Sequence, residues 1–176
     1  MRAHAKAGAL KLMAFDVDGV LTDGALYYSA AGDEMKAFNV RDGHGLKMLS
    51  QAGILVAIIT GRTSDAVRLR ADNLGVSLLI QGVEDKRGAM QALLQQHGLD
   101  FAQAGYMGDD IVDLPLLGAC GFSATVRDGH DEVRGRVDYV SRNCGGRGAV
   151  REVCELILAA QGKLAAAIAP YVSANG

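Results

Sequence analysis

A doubly wound α/β fold, a parallel sheet with helices on both faces, is predicted by three observations. Short aliphatic segments alternate along the chain with amphipathic stretches of helical period, the pattern of right-handed βαβ units. Residues 54–59 are almost purely aliphatic, as suits a central parallel strand covered on both faces. Two acidic runs, Asp16-Val17-Asp18-Gly19 and Gly108-Asp109-Asp110, each directly follow a strand-like segment. Both fall where a parallel sheet presents its carboxyl edge, and open α/β folds bind ligands at that edge.

The elements follow in order. Residues 12–15 read as a buried first strand. Between 26 and 39, two strand-like stretches flank Ala30-Ala31-Gly32-Asp33, which predicts a β-hairpin. It interrupts the alternation immediately after the first acidic run, so it is expected to project over the pocket. Residues 42–51 predict a helix with Asp42 as N-cap, Leu46 and Leu49 three apart, and Gly53 just past the end. After strand 54–59 comes a helix over 64–74, with Val67, Ala71 and Leu74 on one face and Gly75 as its stop. A short strand at 78–80, a helix over 86–97 closed by Gly98, and strands at 104–107, 121–126 and 139–140 continue the pattern. A helix over 149–161 closes the fold, with Val150, Val153, Cys154, Ile157 and Leu158 on one stripe.

At 176 residues the chain suits one domain spanning 1–176, with the hairpin at about 25–39 and a C-terminal helix and tail at about 149–176. It has no internal repeat or linker and only two prolines, Pro115 and Pro170. With 49% apolar and 22% charged residues, the composition is that of a globular protein rather than a disordered chain. A net charge of −2 without a Lys/Arg stripe excludes a nucleic-acid footprint. An anionic ligand at that edge would therefore need local positive charge, for which Arg62, Arg70 and Lys86 are the candidates. Cys120, Cys144 and Cys154 are odd in number and lack metal-ligand spacing, which fits a reduced, cytoplasmic setting. No apolar run reaches transmembrane length, so no membrane partner is expected. Residues 10–15 are too short for a signal core.

Carboxylates brought together at one sheet edge repel each other unless a cation compensates, and hard oxygen ligands select Mg²⁺. Mn²⁺ and Co²⁺ also suit an oxygen site. Asp16 ends a strand, so its carboxylate can face a phosphate and attack phosphorus. Asp18 can protonate the departing alkoxide and then take a proton from water, and its backbone carbonyl can bind the metal. Asp-x-Asp-Gly is equally a turn sequence, Asp109 and Asp110 suit a helix N-cap, and most lysines are solvated. The joint order of carboxylate pair, Thr60, Lys86 and carboxylate pair favours the chemical reading. Arg62 and Arg70 suit bidentate recognition of a substrate carboxylate, although Arg70 equally suits a solvated ion pair on a helix face. Arg147 sits between glycines, where a helix-stabilising role does not fit.

The segments Asp16-Val-Asp-Gly-Val-Leu-Thr-Asp23, Thr60-Gly-Arg62, Lys86 and Gly108-Asp-Asp-Ile-Val-Asp113 resemble the four motifs of the haloacid dehalogenase superfamily. Phe38-Asn-Val-Arg-Asp-Gly43, Ile58-Ile-Thr-Gly-Arg62 and Gly145-Gly-Arg-Gly-Ala-Val-Arg-Glu-Val-Cys154 closely resemble its capless branch of 3-deoxy-D-manno-octulosonate 8-phosphate phosphatases. The similarity runs from about 11 to 164. It implies a Rossmann-like core with a hairpin in place of a cap domain, and a phosphatase of lipopolysaccharide biosynthesis. It also implies Asp16 as nucleophile, Asp18 as acid/base, and Thr60 and Lys86 as phosphate ligands. Asp16, the Asp18 carbonyl and Asp109 would hold Mg²⁺, with Asp110 and Asp113 behind them. Asn39, Val40, Arg41, Asp42, Gly43, Lys47, Arg62, Arg70 and Arg147 would surround the sugar-acid phosphate. A homotetramer is implied too, in which the hairpin caps a neighbouring subunit and the tail around Arg147 reaches a neighbouring site.

Three other readings remain. A phospho-receiver domain uses a similar residue set, but lacks a second Asp two residues after the phosphorylated one, as Asp18 is here. A structural, non-catalytic subunit would not need every chemical residue. A phosphatase of a nine-carbon keto sugar-acid phosphate differs only at the pocket rim.

Overall fold

The computed structural model describes residues 2–172; positions 173–176 of the predicted tail lie outside the described residues. Eight strands and eight helices follow the chain among those residues. In order they are α1 Arg2–Gly8, β1 Leu12–Phe15, β2 Tyr27–Tyr28, β3 Glu34–Met35, α2 Val40–Gln51, β4 Leu55–Ile59, α3 Asp65–Leu74 and β5 Leu78–Ile80. Then come α4 Lys86–Gln96, β6 Ala104–Met107, α5 Leu114–Ala119, β7 Phe122–Thr125, α6 Asp131–Arg134, β8 Tyr139–Val140, α7 Ala149–Ala160 and α8 Leu164–Val172. Single 3₁₀ turns precede β6 and α5.

Six strands form one sheet in the order β5-β4-β1-β6-β7-β8, with every pair parallel. Successive residues alternate between two cores. Met13 and Phe15 of β1 join Leu46, Leu49, Val67, Val153 and Ile157 on the face covered by α1, α2, α3 and α7. Leu12 and Ala14 join Met90, Leu93, Leu116 and Leu117 on the face covered by α4, α5 and α6. This period-two division is why the strands read as continuous apolar runs: both faces are buried.

From β1 the chain crosses to β4 and β5, then returns to the other side of β1 to form β6. The strand order thus reverses beside β1, and a crevice opens outside the carboxyl ends there. Phe15 pairs with Ile58 and Met107, so Asp16, Thr60 and Asp109 leave the sheet at one edge.

The predicted hairpin is present, but each strand is only two residues long, pairing Tyr27 with Met35 and Tyr28 with Glu34. The helix predicted from 42 starts two residues earlier. Asn39, not Asp42, is its N-cap, accepting from the Arg41 amide at 2.8 Å. Asp42 lies inside the first turn, 1% exposed, and accepts from the Gly148 and Arg151 amides at 3.1 and 2.8 Å. Instead of capping its own helix, as its position in the sequence suggests, this carboxylate caps the start of α7. Helices α1, α5, α6 and α8 were not expected. Three of them are seven residues or fewer, too short for a 3.6-residue period to show, and α8 is Ala-rich and carries Pro170 inside it.

Candidate active site

A pocket of about 580 Å³ at the carboxyl edge is lined by Asp16, Asp18, Gly19, Thr60, Arg62, Lys86, Asp109 and Asp110, among others. Its floor is the end of β1. The Asp16 amide donates to the Met107 carbonyl of β6 at 2.9 Å. One Asp16 oxygen accepts from the Val17 amide at 2.7 Å, and the other from the Lys86 ammonium at 2.5 Å. Asp109 is held from behind, because its carbonyl accepts from the His130 amide at 2.8 Å. Gly19 faces it with φ +82°, and a Cβ there would fall 2.0 Å from an Asp109 carboxylate oxygen. Only glycine allows both that backbone conformation and that approach.

Lys86 enters from the first turn of α4, where the side chain of Asp85 caps the helix. Its ammonium, on a side chain 7% exposed, also donates to Asp113 at 2.6 Å and to the Tyr106 hydroxyl at 3.3 Å. Asp113 is fully buried. One of its oxygens accepts from Lys86 and from Tyr106 Oη at 2.9 Å, the other from the Asp109 and Asp110 amides at 3.0 and 3.2 Å. Oxygens of Asp16, Asp109 and Asp113 all lie within 4.8 Å of one another. All four lone-pair positions of Asp113 are already occupied, so it orients Lys86 and the Asp109-Asp110 turn rather than offering an oxygen to an ion. Asp16 and Asp109 are the carboxylates of that cluster left to face a metal.

The electrostatics demand a cation. Burial, then repulsion from Asp113, pushes the Asp16 carboxyl up to about 6 despite Lys86. Burial and the neighbouring Asp16, Asp113 and Asp110 push Asp109 up to about 7. One ammonium among these carboxylates leaves net negative charge in a low-dielectric recess, and an all-oxygen donor set suits Mg²⁺.

At the mouth, Arg62 donates to Glu34 at 2.8 Å and to the Tyr28 hydroxyl at 2.9 Å, and its Nε lies 3.7 Å from Asp18. Lys36, with a side chain 1% exposed, pairs with Asp18 and lies 3.5 Å from Glu34. The hairpin thus contacts two pocket-lining side chains, Asp18 and Arg62, without lining the pocket itself.

The pocket gathers Asp16, Asp18, Thr60, Arg62, Lys86, Asp109 and Asp110. It does not include Asn39, Val40, Arg41, Asp42, Gly43, Lys47, Arg70 or Arg147. Asn39, Gly43 and Arg70 border a narrow crevice beside Phe38, and Arg41 and Arg147 line a groove with Arg142 and Arg151. Val40 and Lys47 are exposed, while Asp42 is a buried structural anchor without access to a ligand. The glycines of the tail serve the site through packing: a Cβ at Gly145 would fall 1.9 Å from the Gly19 carbonyl oxygen, so the tail backbone lies directly against the first acidic loop. Sequence reasoning missed Tyr106, Glu34 and Lys36. The first sits inside an apolar strand segment, and the other two in a hairpin read only for its shape.

The chain matches the haloacid dehalogenase-like hydrolase family over residues 79–151. It is 48% identical over 160 residues to a 3-deoxy-D-manno-octulosonate 8-phosphate phosphatase of Escherichia coli (strain K12), covering 91% of this chain and 85% of that protein. A Moraxella catarrhalis phosphatase of that name, solved with magnesium ion, phosphate ion and KDO, superposes with a TM-score of 0.94 at 47% identity, covering 96% of this chain and 97% of the other. The cobalt-bound Haemophilus influenzae phosphatase gives 0.88 at 46% identity, covering 91% and 94%. With a shared fold, a full set of motif residues and this identity over nearly the whole length, the chain belongs to the 3-deoxy-D-manno-octulosonate 8-phosphate phosphatase family of haloacid dehalogenase-like hydrolases.

Proposed function

We propose that this chain is a Mg²⁺-dependent phosphatase that hydrolyses 3-deoxy-D-manno-octulosonate 8-phosphate to the free sugar acid and phosphate, through a phosphorylated Asp16. The observation that carries the reading is the Asp16 carboxylate itself, buried at the sheet edge, fixed by the Val17 amide and Lys86, and open to the pocket. The names of its relatives supply the substrate.

In the first step an Asp16 oxygen attacks phosphorus while the bond from phosphorus to the ester oxygen breaks. Asp18, as the acid, gives its proton to that departing oxygen. In the second step Asp18, now a carboxylate, takes a proton from water as the water oxygen attacks phosphorus. The bond from phosphorus to Asp16 breaks, which returns the carboxylate and releases phosphate. Thr60 and Lys86 hold the phosphoryl oxygens. Asp16, Asp109 and the Asp18 carbonyl would hold Mg²⁺, which supplies charge against the phosphate oxygens and against the carboxylates themselves. Asp110 and Asp113 keep that arrangement in place.

Arg62 is the guanidinium available at the mouth for the sugar acid's carboxylate. Asn39, Val40, Arg41, Gly43, Lys47, Arg70 and Arg147 lie away from their own chain's pocket, which suits a homotetramer whose sites are shared between subunits. The exposed Leu26, Tyr27, Tyr28 and Met35 of the hairpin supply apolar area for such a contact. The place of action is the cytoplasm, upstream of lipopolysaccharide assembly. In line with this, no single helix among the described residues is long and apolar enough to cross a membrane.

Phosphate release from the eight-carbon substrate, its nine-carbon analogue and ordinary sugar phosphates, with Mg²⁺ and with chelator, tests the assignment. Metal-dependent release favouring the eight-carbon substrate is expected. Equal release from ordinary sugar phosphates would remove the substrate from the reading while leaving the chemistry.

A further inference from the structure

At the pocket mouth four side chains of alternating charge close a ring. Asp18 pairs with Lys36, Lys36 approaches Glu34 at 3.5 Å, Glu34 accepts from Arg62 at 2.8 Å, and Arg62 returns to Asp18 at 3.7 Å. Two members, Glu34 and Lys36, come from the hairpin, and the other two from the sheet edge. The Glu34 carboxylate therefore sits on a guanidinium that lines the pocket, while the Arg62 side chain keeps 45% exposure. A carboxylate in the pocket can approach the exposed Arg62 guanidinium, whereas Lys36 is closed to it.

We propose that Glu34 is a built-in stand-in for the substrate's carboxylate, which occupies Arg62 until a sugar-acid carboxylate displaces it. The inference rests on the keto sugar-acid reading above. A carboxylate that takes the Glu34 place keeps the ring neutral, because one anion replaces another beside Arg62. A neutral hydroxyl in that position would leave Glu34 where it is, and a second anion beside it would be repelled. An ester lacking a carboxylate gains nothing at Arg62, whereas a sugar acid gains a charge-assisted, bidentate contact. The cost of displacing Glu34 therefore falls only on ligands that use Arg62, and it shows in the KM of a sugar acid and not in that of other esters.

The test uses the full-length protein with Mg²⁺ and compares wild type with Glu34→Gln, an isosteric change at a half-buried hairpin position. Two substrates are followed, the eight-carbon sugar-acid phosphate and p-nitrophenyl phosphate. Removing the competitor should lower KM for the sugar-acid phosphate several-fold, with kcat little changed and both constants for p-nitrophenyl phosphate unmoved. A raised KM for the sugar-acid phosphate would overturn the proposal, since Glu34 would then support Arg62 rather than compete for it. Equal changes on both substrates would also overturn it, as a general disturbance of the hairpin. The companion Glu34→Ala separates charge from shape: the same fall in KM is expected, and a rise would contradict it. If wild type turned over p-nitrophenyl phosphate but no sugar-acid phosphate, the substrate reading itself would fall, and this inference with it. That result is distinguishable, because it appears before any variant is made.

Discussion

Replacing Lys86 by methionine takes away the ammonium that Asp16 and Asp113 share at 2.5 and 2.6 Å. Breaking a buried pair while leaving its partner costs about 3–5 kcal/mol, and here two carboxylates are left. Lys86→Met should therefore lose that much in urea denaturation at neutral pH, together with its turnover. Full stability would mean that the contact contributes little to the fold. Asp16→Asn acts in the opposite sense on the fold. It removes one charge from a cluster that burial and repulsion hold at about 6 and about 7, so the metal-free variant should melt no lower than wild type while its activity is abolished. A variant that unfolds would show that Asp16 is needed as a structural partner for Lys86. Single side chains of this kind were the most legible part of the sequence, because Asp16, Thr60, Lys86 and Asp109 lie at strand ends or a helix start, positions that apolar periodicity marks. Asp42 misled for a related reason: an acid at a helix start has a local capping role by default, and its actual partners, Gly148 and Arg151, are more than a hundred positions away.

Helix α7 links the site to the core. Its apolar stripe, with Val153, Cys154, Ile157 and Leu158 fully buried, packs on the same face as α2 and α1. Ile157→Ala should cost about 2–5 kcal/mol, the range for truncating a buried aliphatic side chain. Its first turn holds Glu152, whose carboxylate accepts from Tyr139, Ser141, Asn143 and the Arg142 amide and guanidinium at 2.6–3.1 Å. Partial burial opposes ionisation, yet these donors together hold Glu152 at about 2. Because its folded value lies below the ordinary one, its stabilisation is present above about pH 4.5 and is lost as pH falls toward 2. Glu152→Ala should weaken the protein by roughly 1.5–3 kcal/mol, the contribution of hydrogen bonds to a charged group. It should also flatten the acid limb of a pH–stability curve, and an unchanged limb would remove Glu152 from that account. The stripe of α7 was legible at the 3.6-residue period. The clasp was not, because its donors come from β8 and the loop after it, and nothing local marks them as partners.

The whole molecule places its cost of function at one edge of the sheet. Asp16 and Asp109 are raised above the ordinary 3.8, so the folded, metal-free protein binds more protons than the unfolded chain between about pH 4 and 7. Stability from these groups is thus fully present below that window and lost as pH rises through it. Without metal, the melting temperature should fall from pH 5 to pH 8; Mg²⁺ should raise it most at the upper end, where both carboxylates are ionised. Equal stabilisation by Mg²⁺ at both ends would contradict the assignment of these two groups as the metal site. The doubly wound sheet and the hairpin followed from alternation and from one break in it, whereas the strand order is read from the structure. The reach of Glu34 and Lys36 back to Asp18 did not, since a hairpin's register says where its tip lies and not which side chains meet the sheet. The most direct test of the central claim is rapid acid quench of a reaction with labelled substrate and Mg²⁺, followed by peptide mapping. Phosphate bound covalently to Asp16 early in the reaction, and absent from Asp16→Asn and from chelated enzyme, is the predicted result. Phosphate release at the wild-type rate by Asp16→Asn, with no labelled peptide, would contradict it.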